Sequence, residues 1–179
     1  MNTAKLTKLA LLTTVALTIF VLESAIPSIP IPGIKLGLAN IITLYVIHEM
    51  GLREAGAVLL VRIVLATVIA GQAVSFLYSI CGGVACLIVM WILNRFLQGH
   101  AIFVTSIFGA IAHNLGQIFA AFVVLHMTGI LLYIPYLMIS GVITGAFTGL
   151  VTYFMLQKFG KVFKPADSTQ SEKSPTSKR

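Results

Sequence analysis

Residues 22–46 read LESAIPSIPIPGIKLGLANIITLYV, and the fold turns on how this stretch is taken. Glu23 stands late in one hydrophobic run and Lys35 opens the next, with Pro27, Pro30, Pro32 and Gly33 between them. Proline removes a backbone donor and biases the residue before it away from helix, so a break in helix is predicted across 26–33. In hydrocarbon, such backbone survives only where protein covers it or where it lines a wet cavity. The run that follows is short for a membrane span and carries Gly37 and Asn40 near its start. Two readings follow. An interrupted apolar segment flanked by charges points to the binding site of a transport protein. Alternatively, the stretch is an outer turn in which Glu23 and Lys35 neutralise each other.

Composition decides the setting. The 179 residues are 58% hydrophobic and only 9% charged, with mean hydropathy +1.01. Soluble domains carry roughly a quarter charged residues. The chain is therefore expected to be an all-α integral membrane protein. At about 20 residues per span, the apolar region has room for six transmembrane helices and leaves none for a soluble domain. These are expected over residues 6–26, 34–50, 55–71, 73–93, 102–125 and 131–157. They form a single membrane domain, 1–164, followed by a disordered basic tail, 165–179, that lacks apolar anchors. Lys5 and Lys8 before an apolar stretch resemble a signal peptide, but no small-x-small cleavage site follows, so a retained first helix is expected.

The net charge of +7 is a topology signal rather than a nucleic-acid one. Lys5, Lys8, Arg53, Arg95 and the basic residues from Lys158 onward fall on one side of a six-span chain, and Lys35 on the other. The positive-inside rule then places both termini in the cytoplasm and the proline turn outside. Cys81 and Cys86 lie within one span on different helix faces, which predicts neither a disulfide nor a metal site.

Polar residues inside the spans supply the candidate site. His113, Asn114 and Gln117 form a polar stripe in the fifth helix, where each costs free energy unless it pairs or meets water. Glu23, Lys35 and Asn40 can converge on them from the outer side. The six together are the expected substrate-binding set. The competing reading is an interhelical hydrogen-bond network that only holds the bundle. Arg62 lies seven residues into the third helix, about 10 Å from its cytoplasmic end at 1.5 Å per residue. A structural or docking role is expected for it. Ser140-Gly141, Thr144-Gly145 and Thr148-Gly149 repeat a small pair every four residues, so Ser140, Gly141, Gly145 and Gly149 are expected to form a helix-packing face.

With these residues in place, the strings LESAIPSIPIPGIKLGLANIITLYVI, FLYSICGGVACLIVMWILNR, GAIAHNLGQ and SGVITGAFTGLV resemble, in order, the Gx transporter family, also labelled heptaprenyl diphosphate synthase component I. The resemblance implies a six-helix bundle similar to the substrate-binding S components of energy-coupling-factor transporters. Those hold a small ligand near the outer face and dock on an energising module. The alanine-xxx-alanine docking stripe of many S components is not sustained here, since Thr14 follows Ala10.

Prenyl diphosphate synthases hold magnesium and diphosphate with clustered aspartates, because hard cations demand several oxygen ligands. This chain has one aspartate, Asp167, and its four glutamates form no such cluster. Neither catalytic residues, a metal nor a cofactor is expected. The first functional expectation is a small-molecule binding and transport subunit, multi-pass in a bacterial inner membrane, with an outward-facing polar pocket. The alternative is a non-catalytic membrane partner of heptaprenyl diphosphate synthesis or of a flavin-linked redox complex. A carrier using His113 as a proton relay is a third.

Overall fold

A computed structural model describes residues 3–25, 35–71, 73–97, 101–126 and 128–159. Long apolar runs without interior proline satisfy every backbone donor within their own helix, the state that hydrocarbon demands. Six α-helices result: α1 Thr3–Ala25, α2 Asn40–Glu49, α3 Leu52–Ala70, α4 Ala73–Phe96, α5 Ile102–Leu125 and α6 Ile134–Phe159. A 3-10 turn, Thr128–Tyr133, leads into α6, whose Pro135 sits in the first turn, where its missing N–H breaks no bond. No strand occurs among the described residues. The side-chain hydroxyls of Thr13, Thr14, Thr18 and Ser24 bond back to carbonyls four residues earlier in α1, so these polar groups carry no unmet donor into the bilayer.

Among the described residues, four segments are long and apolar enough to cross a membrane: Thr3–Ser24, Ala73–Phe96, Ile102–Val124 and Thr128–Phe159. Their outward faces carry exposed apolar side chains such as Val21, Ile88, Phe119 and Ile143, which suits contact with lipid. The other two helices differ for separate reasons. α3 has 19 residues but includes Arg53, Glu54 and Arg62. α2 has only 10 residues, about 15 Å of helix against roughly 30 Å of hydrocarbon.

That shortness departs from the expected span over 34–50. Residues 35–37 carry no regular structure and 38–39 form a turn. Gly37 adopts φ +81°, a left-handed conformation that suits glycine, and it ends any helix entering from the N-terminal side. From Asn40 to Ile47 every residue of α2 is buried. A helix apolar on all faces belongs at the centre of a bundle. α2 contacts α1, α3, α4 and α6, and its Ile42, Leu44, Tyr45 and Val46 pack with Leu12, Ala16, Val58, Cys86 and Met90. The Thr152 hydroxyl of α6 donates to the Ile41 carbonyl at 3.4 Å.

α5 is the second organising element, with its most extensive contacts to α4 and α6. Both interfaces rest on glycine. A Cβ on Gly116 would lie 2.6 Å from the Cys81 carbonyl oxygen of α4, and one on Gly145 would lie 2.6 Å from Ile107 Cα of α5. Backbones approach this closely only where side chains are absent, which is how lipid-embedded helices gain packing energy. Gly141 and Gly149 lie against Ile111 and Phe103 in the same manner. Ser140 stays half-buried, its carbonyl accepting from Thr144.

At the opposite end of the bundle from residues 35–39, Lys5 pairs with Glu54, tying the start of α1 to the start of α3. Such a partly exposed pair contributes at most about 1 kcal/mol. The proline turn expected over 26–33, Gln72 and the basic tail lie outside the described residues. Cys81 and Cys86 are unbridged, and the Cys86 sulfur packs 3.5 Å from that of Met90.

Candidate functional site

Five helices and the 35–39 strap bring polar side chains to one cavity. Its wall includes Glu23 of α1, Lys35 and Gly37 of the strap, Asn40 of α2, Arg62 of α3, Ser79 of α4, and His113 and Gln117 of α5. The enclosed space is small, about 10 Å³, room for roughly one water molecule.

Glu23 is 3% exposed and serves the strap. Its carboxylate accepts from the Gly37 N–H at 2.5 Å and the Leu38 N–H at 3.1 Å. These are donors that the absent first turn of α2 leaves without helical partners, and a carboxylate near a helix N-terminus also meets the positive end of its dipole. Gln117 performs the matching service from the other side, its Oε1 accepting from the Lys35 N–H at 3.1 Å. The strap thus crosses the site with its backbone held by side chains from α1 and α5.

The Lys35 ammonium does not spend itself on Glu23. It donates to the Ser24 hydroxyl at 2.6 Å and stands 3.3 Å from the centre of the Phe20 ring, a cation–π contact. Burial brings its pKa down to about 8, with Arg62 adding to that and Glu23 opposing it.

The bond to the Lys35 N–H also fixes a tautomer. With Gln117 Oε1 committed as an acceptor, its amide nitrogen donates to His113 Nε2 at 2.8 Å. An Nε2 that accepts carries no proton, so the ring is neutral with its hydrogen on Nδ1. Two glycines make room for it: a Cβ on Gly37 would lie 2.7 Å from His113 Cδ2, and one on Gly82 would lie 3.0 Å from Cε1.

Among the described residues, three on this wall stand out by what they lack, and the first is His113, whose Nδ1 has no hydrogen-bond partner. Asn40 is 2% exposed, and neither its amide nitrogen nor its oxygen has a hydrogen-bond partner. Arg62 is 4% exposed and its Nε has none either. Each unsatisfied buried polar group costs on the order of 1–3 kcal/mol.

Of the six residues expected to bind substrate, Glu23, Lys35, Asn40, His113 and Gln117 meet at this cavity. Asn114 does not. Its Nδ2 donates to the Leu137 carbonyl of α6 at 2.7 Å, and the side chain sits at the α5–α6 seam. Successive residues of a helix are about 100° apart, so Asn114 faces a different neighbour from His113. Arg62 and Ser79 are the members that sequence reasoning missed. Arg62, for which a structural or docking role was expected, shares the cavity, and an electrostatic interaction, with Glu23. The available signal was that Glu23 and Arg62 each stand alone as a charge within an apolar run. Tyr78 packs with Ile118, Ala121 and Leu137, away from the cavity.

The match with known proteins spans these residues. A family model described as heptaprenyl diphosphate synthase component I matches residues 12–155. No curated protein and no solved structure matches the chain.

Proposed function

From the premise that the chain belongs to the heptaprenyl diphosphate synthase component I family, we propose that it is a non-catalytic membrane subunit that binds and passes a small polar molecule. Its six helices enter or cross the inner membrane of a bacterium, both termini in the cytoplasm, in the manner of a transporter S component. The ligand occupies the cavity under the 35–39 strap, reached from the outer side. The strap lies closed, held by Glu23 and Gln117, and it lifts to admit a molecule larger than the present space.

The observation that carries this reading is the buried and unpartnered amide of Asn40 beside the unpartnered Nε of Arg62, both on the wall of one cavity. The packed α5–α6 seam also keeps unpaired atoms, Asn114 Oδ1 and Ser106 Oγ, but those sit against glycine backbone, whereas Asn40 and Arg62 border open space. Polar atoms kept waiting at a cavity are what a binding site in the ligand-free form retains.

A second reading, a membrane partner of an isoprenoid-synthesis enzyme, draws on the family description and on a separate cleft at the opposite end of the bundle. That cleft, of about 360 Å³, is lined by Ile47, Gly51, Leu52, Trp91, Asn94 and Arg95.

Native mass spectrometry of the gently purified protein tests the first reading against the second. The expected result is a small molecule retained by the wild type and lost from His113→Ala and Gln117→Leu, with helix content unchanged. A wild type that carries no small molecule but co-purifies with a prenyl synthase would favour the partner role.

A further inference from the structure

The cavity holds an excess of positive charge. Lys35 and Arg62 face a single carboxylate, Glu23, whose two oxygens are already engaged by the Gly37 and Leu38 N–H groups. Among the described residues, Lys35 has a hydroxyl and a ring face for its ammonium, and Arg62 keeps Nε unpaired. Asn40 adds an unpaired amide at the first residue of α2, where the helix dipole also favours negative charge. Lys35 is half-buried, but Arg62 is 4% exposed, and for a guanidinium in a low-dielectric interior charge-assisted bonds to an anion recover more than neutral ones.

Within the pocket reading above, we propose that this site takes a singly charged oxyanion, a carboxylate or a phosphodiester, held by Arg62, Lys35 and the Asn40 amide nitrogen. Glu23 is not a contact of that group. It is the clasp that keeps the strap seated over it. One negative charge brings the Lys35, Arg62 and Glu23 set to neutrality, whereas a diphosphate would overshoot it. The Asn40 oxygen and the Ser79 hydroxyl remain to bond the neutral part of the molecule.

The test uses small probes in place of the unidentified ligand. Acetate and dimethyl phosphate represent the two anions, acetamide is the neutral counterpart of acetate, and methylammonium is the cation. Each is titrated against the full chain in zwitterionic nanodiscs at constant ionic strength, with the unfolding temperature as readout. The two anions should raise the unfolding temperature of the wild type and acetamide should not. Lys35→Gln and Asn40→Ala, both of which keep the Glu23 and Gln117 bonds to the strap, should weaken the response by on the order of tenfold. Nanodiscs containing phosphatidylglycerol separate the sources. Stabilisation by that lipid, absent in Lys35→Gln, assigns the oxyanion to a headgroup, while a response to acetate alone assigns it to a soluble carboxylate. Equal responses to acetate and acetamide, or an unchanged acetate response in Lys35→Gln, overturn the proposal. If acetamide or methylammonium stabilises the wild type but not Gln117→Leu, the pocket stands and its preference for anions falls. If no probe acts on the wild type, both fall.

Discussion

Two faces of α5 meet their neighbours in opposite ways. Toward α6, Ile107 and Ile111 meet Gly145 and Gly141 at near-contact distance, and Asn114 donates to Leu137. Toward α1, α2 and α3, His113 and Gln117 border a cavity where Asn40 and Arg62 hold unpaired atoms. The seam has its own unpaired atoms, Asn114 Oδ1 and Ser106 Oγ, but Asn114 and Ser106 pack directly against Gly141 and Gly149. Both faces are rich in small and polar residues, so composition alone does not tell them apart. What separates them is whether space remains. A seam closes to exclude everything, and a site leaves room beside groups that still want partners.

The contrast can be broken most forcefully at the seam. Gly145→Leu places side-chain atoms where even a Cβ lies 2.6 Å from Ile107 Cα, so α5 and α6 must separate. Overpacking against backbone should cost about 3 kcal/mol, read as a lowered unfolding midpoint in detergent and loss of the monodisperse species. The same kind of change on the cavity face should act with the opposite sign. Asn40→Leu replaces an amide with no partner by an apolar group of similar size. It should stabilise the ligand-free protein by about 1 kcal/mol while removing ligand retention. A destabilised Asn40→Leu would mean that the amide is satisfied in the native protein and that the face is structural after all.

The third effect is smaller and depends on pH. Lys35 is faced by Glu23 from α1 and Arg62 from α3, with Ser24, Phe20 and Gln117 as neutral neighbours. Its folded pKa, about 8, lies below its ordinary value of 10.5. Between those values the unfolded chain holds more protons than the folded one, so ligand-free stability should rise as pH climbs through that window. Anion binding should fall over the same range as the ammonium discharges. Unfolding curves with and without acetate, measured from pH 7 to about 10.5, should therefore converge. In Lys35→Gln both trends should flatten.

Much of this arrangement was legible before any coordinates. α5 begins and ends where its apolar run meets polar flanks, Ile102 and Leu125, and the four-residue spacing of Gly141, Gly145 and Gly149 faces a neighbouring backbone. The entrance to α2 was not legible. A helix from residue 34 agrees with local hydropathy, but Gly37 and the capture of three strap amides by Glu23 and Gln117 override it, and those partners lie 14, 15 and 82 residues away. The meeting of Arg62 with Glu23 was not legible for a similar reason. Counting along α3 measures distance from the start of that helix, and only the packing of α1 against α3 brings Glu23 to the same cavity. His113, Asn114 and Gln117 read as one stripe in sequence, yet about 100° between consecutive positions sends Asn114 to α6.

The most direct test of the central claim is an experimental density map of the gently purified protein at a resolution that shows ordered water. The account predicts density larger than a water beneath the strap, within hydrogen-bond reach of Asn40 and Arg62, with residues 35–39 displaced to admit it. A single ordered water bonding both Asn40 and Arg62 under a closed strap would contradict it, and would make the cavity a part of the scaffold.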